Sequence, residues 1–578
     1  MTPRRRLATG LALAAALLLV GRLAALTYAD HAWYQALGAT AIWSERLRDL
    51  AVIHIVSAVF AGLFALLNLS AIRRSIMSLA FPRRLGNVEF GEEVPRRFLD
   101  RASFVLAALV AVLMAFVVPS WVRLALVRIG PRFGETDPFF QTDLSFYVAW
   151  LPLESSVYLW CLTLLVLVSV MVIGLYALTP SLRWHRGTFH VSARVRRHLT
   201  ALASLFLLTM AWSYRLDGYE LLMRGSGIDG MFSYVDHQWL IPAYLSLSVG
   251  TVAAAALVLV SGWTGQIRAG FFTISAVLIF SIALDLILPS VVRRLASATV
   301  VNARQTPYVA TRSAFTARAY GLPRNSAQAM PQEVTRFNVF ADSARIARVT
   351  SLAKDSVLVH PGASGAALVM RGKGVAAPFL GSGLPRLALA WSEQRLDLLW
   401  SDLPGDTRIA RRRDVRQRVG TLFPVFEQGS EVIPAYLGDS LVWVIELYSA
   451  SSDYPLSKRY MLAGQDRSYF RHSGTAIVNA ATGKVTVVPD PAPDAIASAW
   501  RRRFPSNIRA GAPDLLDELT ATLRMSASPS TLPDSSPTDA AFRTEVVRLY
   551  ARMRAALALG DLKAFGAAYD SLGAVVGR

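Results

Sequence analysis

Three ionisable residues sit inside otherwise apolar stretches of the chain: Arg22, His54 and Asp285. Charge held in hydrocarbon is costly, so such residues pair with one another, line a watery path or relay protons. Counted from the ends of their stretches, all three fall at about the same depth, in the outer leaflet. An Arg22–Asp285 pair with His54 beside it would make a polar site for a transporter or channel. Snorkelling, or an ion pair that only orients helices, uses the same residues structurally. A second group is the loop carboxylates Asp137, Asp143 and Asp236. They could serve as acid and base toward a lipid-linked substrate, and the same residue type caps helices and orders loops. A third group is two basic runs, Arg411, Arg412 and Arg413, then Arg501, Arg502 and Arg503. On an outer surface their partners would be anionic lipids or envelope polymers, against a background of ordinary solvated charge.

Other chemistries lack their spacing. Cys161 is the only cysteine, which leaves no intrachain disulfide, thiolate metal site or CxxC pair. Ser364 and His360 flank glycines without the GxSxG pattern of a nucleophile elbow. Gly381-Ser382-Gly383 lacks the strand, Lys and helix of a phosphate loop. No HExxH or close His/Asp/Glu grouping is present, so no metal or cofactor is expected.

These residues must be positioned by a largely apolar chain. Of 578 residues 53% are hydrophobic and the net charge is +20, with a mean hydropathy of +0.38. That excess excludes a purely soluble enzyme. Seven apolar stretches long enough to cross a bilayer are expected at about Leu7–Tyr28, Leu50–Ile72, Ala102–Pro119, Val157–Leu178, Leu199–Trp212, Leu240–Trp263 and Phe271–Val291. Basic residues gather in alternate connections, at Arg4–Arg6, Arg73–Arg101, Arg183–Arg197 and Arg268, which places the N-terminus in the cytoplasm and everything after Val291 outside. The first stretch continues past Arg22 without a small-residue cleavage site, so it is expected as a retained helix. Trp33, Trp43, Trp121, Trp150, Trp160, Trp212 and Trp239 are expected as outer interfacial anchors. The positive charge thereby becomes in part a topology signal, and a nucleic-acid partner is not expected.

The expected fold is an α-helical bundle of about seven transmembrane helices (residues 1–291), a stalk (292–347), an extracytoplasmic α+β domain (348–510), a short helix and Pro/Ser linker (511–539) and a C-terminal helical hairpin (540–578). Strand-like alternation marks 356–360, 367–370, 396–400 and 440–448. A hairpin is expected from Thr475–Asn479 through Thr482-Gly483 to Lys484–Val488, and a helix over Arg411–Phe423.

The stretch Asp137-Pro138-Phe139-Phe140-Gln141-Thr142-Asp143-Leu144-Ser145-Phe146-Tyr147 resembles a signature before the fourth span of the bacterial multi-pass membrane proteins grouped as uncharacterised protein family 0182. Leu216–Leu222, Val235-Asp236 with Pro242-Ala243-Tyr244, Thr316–Leu322, Leu441–Val444 and Gly560-Asp561 extend the resemblance along the chain. It implies seven spans and a large extracytoplasmic domain. It assigns no catalytic residue, and members are longer, with a further segment where this chain has about Ala510 to Thr538. The expected function is therefore that of an inner-membrane protein whose exported domain binds or scaffolds envelope components. A transporter and an envelope enzyme are the alternatives.

Overall fold

Leucine- and alanine-rich runs without internal proline form the long helices. α1 (Pro3–Ala36), α2 (Thr40–Met77) and α3 (Arg96–Phe116) come first, and Pro119 and a Ser120 cap then introduce the short α4 (Trp121–Ile129). A π-helical turn, Phe146–Trp150, leads into α5 (Leu151–Ala177), and α6 (Ala193–Met223) follows. A second π-turn, Asp236–Leu240, opens α7 (Ile241–Thr264). The computed structural model describes residues 3–77, 84–85, 88–89, 96–177, 182–185, 188–226, 230–287, 291, 298–322, 331, 357–369, 374–437, 440–505, 548–553, 555, 564–569 and 571.

Among the described residues six helices are long and apolar enough to cross a membrane: α1, α2, α3, α5, α6 and α7. The seventh expected stretch forms a shorter helix, α8 (Ile267–Ile282), continued by a π-turn, Ala283–Ile287. At about 1.5 Å per residue α8 alone falls short of a roughly 30 Å hydrocarbon layer. α6 is the least apolar of the six and the most enclosed. Its partner α7 approaches closely at Gly262, where a Cβ would stand 1.9 Å from the Thr200 hydroxyl oxygen. Elsewhere large apolar side chains point outward, among them Leu17, Leu67, Phe116 and Val249.

Two short hairpins, β1 (Arg84–Leu85) with β2 (Val88–Glu89) and β3 (Leu182–His185) with β4 (Thr188–Val191), lie between the long helices; beyond α9 (Ala298–Tyr320) come β5 (Ala367–Val369), paired with β6 (Arg408–Ala410), and the main sheet. The main sheet runs β13 (Val485–Pro489), β12 (Tyr469–Asn479), β9 (Ser440–Ser451), β7 (Glu427–Gln428), and β8 (Ile433–Leu437) also pairs with β9. The expected hairpin is present, antiparallel with Val478 opposite Val485. Alternation along β9 turns Trp443, Ile445 and Leu447 toward α11 (Val415–Leu422) and α12 (Ala495–Arg503), where they pack with Val419, Phe423 and Trp500. Tyr448 lies on the other side, in one cluster with Tyr454, Tyr469, Phe315 of α9 and Leu216 of α6.

Three local expectations differ. Residues 396–399 form a 3-10 turn rather than a strand, with Leu398 buried and Leu396 outside. Residues 357–360 are irregular and bond to the sheet through the Leu358 and Val359 amides on the Ala480 carbonyl and through the Trp443 indole of β9 on the Val359 carbonyl. The helix expected from Arg411 begins at Val415, because Asp414 caps it, its carboxylate accepting the Gln417 amide at 2.8 Å, and Arg412 takes a left-handed φ of 49°.

Residues 514–578 form a separate unit. Its described residues are helical, at 548–553, 555, 564–569 and 571. The expected linker at 511–539 and the helix within it lie outside the described residues.

Candidate functional site

The loop residues meet where the helices join the sheet. Asp137 is fully buried; one carboxylate oxygen accepts the Phe139 and Phe140 amides (2.9 and 2.6 Å) and the other the Thr142 amide and the Tyr147 hydroxyl (2.9 and 3.0 Å). Asp143 accepts the Ser145 amide at 2.8 Å. Asp236, also fully buried, accepts the Ser226 and Ser233 amides and the Ser233 hydroxyl at 2.7 to 3.2 Å. All three carboxylates therefore fold loops around themselves, as short acidic side chains do beside exposed amides.

The loops of Asp137 and Asp236 are brought together by the aromatic residues they hold. Phe139 lies 4.7 Å, ring to ring, from both Phe232 and His237, and His237 Nδ1 sits 2.8 Å from the Tyr308 hydroxyl of α9. α9 is bound along its length. Gln305 accepts the Tyr234 amide, Arg312 donates to the Phe232 carbonyl, and Arg318 pairs with Glu135. At its far end the single Tyr320 hydroxyl proton is shared between the Lys458 and Arg467 carbonyls, beside the hairpin of β10 (Tyr460–Leu462) and β11 (Gln465–Arg467). The described part of the expected stalk is thus a docked strut; residues 323–330 and 332–356 lie outside the described residues.

The other basic candidates hold α1. Arg411 pairs with Glu393 and Asp30, and Arg412 bonds Asp30 at 2.8 Å with its guanidinium 4.5 Å from the Trp33 ring centre. Arg413 donates to the Leu358 carbonyl. This run is not presented to a partner as expected, because Asp30, Trp33 and the chain's own carbonyls occupy it. Trp33 is correspondingly buried rather than interfacial. Of the second run, Arg503 pairs with Glu45 of α2, Arg502 is exposed and Arg501 partly so.

The two members of the intramembrane trio whose side chains are described, Arg22 and His54, bond to carbonyls rather than to each other. Arg22 donates to the Trp391 carbonyl of α10 (Leu384–Ser392), and His54 Nδ1 lies 2.7 Å from the Leu50 carbonyl of its own helix. Asp285 lies in the π-turn after α8, and its side chain is outside the described residues.

Several buried polar groups escaped the sequence. Arg418 is fully buried and donates to the carbonyls of Arg411, Arg412 and Gly483 at 2.8 to 3.1 Å. Burial, aided by the Arg412 charge, pulls it down to about 10. Its place at i+3 from Val415 and i−4 from Leu422, on the apolar face of α11, was the available signal. His472 lies between Asp490 and Glu446, 2.6 Å from each. Asp494 caps α12 and accepts from Tyr469 and Ser449; burial holds its carboxyl above the ordinary range. In the bundle, Tyr176, His198 and Asn68 form a hydrogen-bonded chain across α5, α6 and α2. Among the described residues no group of three His, Cys, Asp or Glu side chains is placed to hold a metal.

The profile of the uncharacterised protein family UPF0182 matches residues 7–358 and 367–528. The chain belongs to this family. A UPF0182 protein of Desulforamulus reducens is 26% identical over 51% of this chain and 34% of its own length. One of Cupriavidus necator is 31% identical over 57% of this chain and 36% of its own, and one of Geobacter sulfurreducens is 28% identical over 51% and 34%. The match thus spans about a third of the length of these UPF0182 relatives. No solved structure matches the chain. For this UPF0182 chain the stretch Asp137–Tyr147 has a defined local role: its first carboxylate closes the loop that carries Phe139 to Phe232 and α9.

Proposed function

We propose that this UPF0182 chain is a multi-pass protein of the cell (inner) membrane, its N-terminus cytoplasmic, that presents the α+β region on the opposite face as a binding or scaffolding module for envelope components. The membrane reading is supported by six long apolar helices whose large side chains point outward, and by basic residues concentrated in alternate connections. The observation that carries the presenting role is the junction. α9, the Asp30 and Trp33 clamp on α1, and the Arg503–Glu45 pair on α2 fix the α+β region to the helices at separate points. A module held this way offers a fixed surface, on which Arg501 and Arg502 are the basic residues of the two runs left for an anionic partner.

Cross-linking in intact envelopes, followed by purification of the chain, tests this reading. Specific recovery of an acidic glycan, lipid or protein, reduced at least about threefold by Arg501→Glu with Arg502→Glu, is the expected result. Recovery of no partner above an unrelated membrane protein would overturn it.

A further inference from the structure

Five large apolar side chains of the α+β region stand exposed around one small core: Leu384 and Trp400 at 79% each, Phe379 at 54%, Leu396 at 51% and Leu387 at 39%. That core is formed by Leu380, Leu389, Ala390, Leu398 and Ile409, with Ala29 of α1. A patch of this kind marks a contact surface. Its organisation is helical: Leu384, Leu387, Ala388 and Trp391 fall at i, i+3, i+4 and i+7 on one face of α10, while Leu389 and Ala390 turn into the core.

What covers the patch follows from where α10 is attached. The Trp391 ring lies on Gly21 of α1, so closely that a Cβ there would stand 2.6 Å from a ring carbon, and Arg22 donates to the Trp391 carbonyl. This is where the surface of α1 changes character. Leu17, Leu19, Val20 and Leu23 are exposed, whereas Ala25 and Ala29 are buried. The outward apolar surface of α1 therefore ends beside α10, and the exposed patch lies next to it.

We propose that α10 and the 3-10 turn after it form an interfacial element, seated in the headgroup and upper acyl layer of the same phospholipid bilayer that α1 crosses. The polar groups nearby suit that position. Arg386 is turned back onto the Leu398 and Ser401 carbonyls, Arg395 pairs with Asp397 at 2.8 Å, and Trp391 and Trp400 have the amphipathic rings that interfaces favour. Arg22 thereby acquires a role at the edge of the hydrocarbon, tying α1 to this element.

The proposal rests on the membrane reading above, and one experiment separates the two. Single cysteines at Leu17, Leu384, Trp400 and the exposed Lys484, in a Cys161→Ala chain, carry an environment-sensitive fluorophore in phosphatidylcholine–phosphatidylglycerol vesicles. The labels at Leu17, Leu384 and Trp400 are expected to be quenched by nitroxide lipids, and those at Leu384 and Trp400 to be at least about fivefold less open to aqueous iodide than the label at Lys484. Lipid quenching at Leu17, with Leu384 and Trp400 as open to iodide as Lys484, would overturn the interfacial element and leave the membrane reading standing. Iodide access at Leu17 itself would overturn both.

Discussion

Replacing Asp137 by alanine is expected to disassemble the junction between helices and sheet. The carboxylate is fully buried and accepts three amides and the Tyr147 hydroxyl, so truncation strands four donors where water does not reach. At roughly 1 to 3 kcal/mol for each unsatisfied buried group, partly relieved by loop rearrangement, the loss is on the order of 4 kcal/mol. The effect should spread. The loop carries Phe139 onto Phe232, whose carbonyl also holds Arg312 of α9, and α9 holds the β10–β11 hairpin through Tyr320. Hydrogen exchange of the detergent-solubilised chain should therefore show α9 and residues 230–237 losing protection together with residues 137–147. Asp137→Asn, which keeps one accepting oxygen, should fall between. An alanine variant with unchanged protection in α9 would show that Asp137 does not organise the junction.

Arg418→Met is expected to cost nearly as much, about 3 kcal/mol, from the other side of the sheet. Three carbonyls lose their donor in a site without solvent, and Trp33 of α1 loses a cation 5.6 Å from its ring centre. Methionine fills the volume without donating, and Arg418→Lys keeps the charge without the planar fork that reaches three acceptors, so lysine should not restore stability. The pH dependence has a defined sign. A base whose folded value is pulled down to about 10 gives up its proton earlier in the native state than in the unfolded chain, so its burial penalty is full below about pH 10 and lifts as pH rises through it. Thermal unfolding followed by tryptophan fluorescence checks the variants; a lysine variant as stable as the parent would remove the fork from the account.

Local order explains what the sequence revealed. The β12–β13 hairpin was legible because alternating Val and Ile flank a turn with Gly483 at positive φ, and its register needs only neighbours in the chain. The long helices were legible from apolar length alone. Partners far apart in the chain were not: Arg22 meets Trp391 and Asp30 meets Arg412, so the sequence alone paired Arg22 with other residues of the spans and put Arg411–Arg413 on a free surface. Trp33 was misplaced for the same reason, since an interfacial tryptophan and one buried under two guanidiniums have the same local sequence. The loop aspartates were recognisable as candidates, and only their hydrogen bonds distinguish a folded loop from an acid/base site. Residues 396–400 misled because a short apolar run with one Asp fits a strand and a 3-10 turn equally.

Thiol labelling shows most directly whether the α+β region stands across the membrane from the basic connections. In a Cys161→Ala chain, Lys484→Cys reports the β12–β13 turn and Thr188→Cys the connection between α5 and α6. With a membrane-impermeant maleimide on spheroplasts, the account predicts prompt labelling at Lys484→Cys and labelling at Thr188→Cys only after the membrane is permeabilised. Equal labelling of both before permeabilisation, or the reverse order, would contradict it.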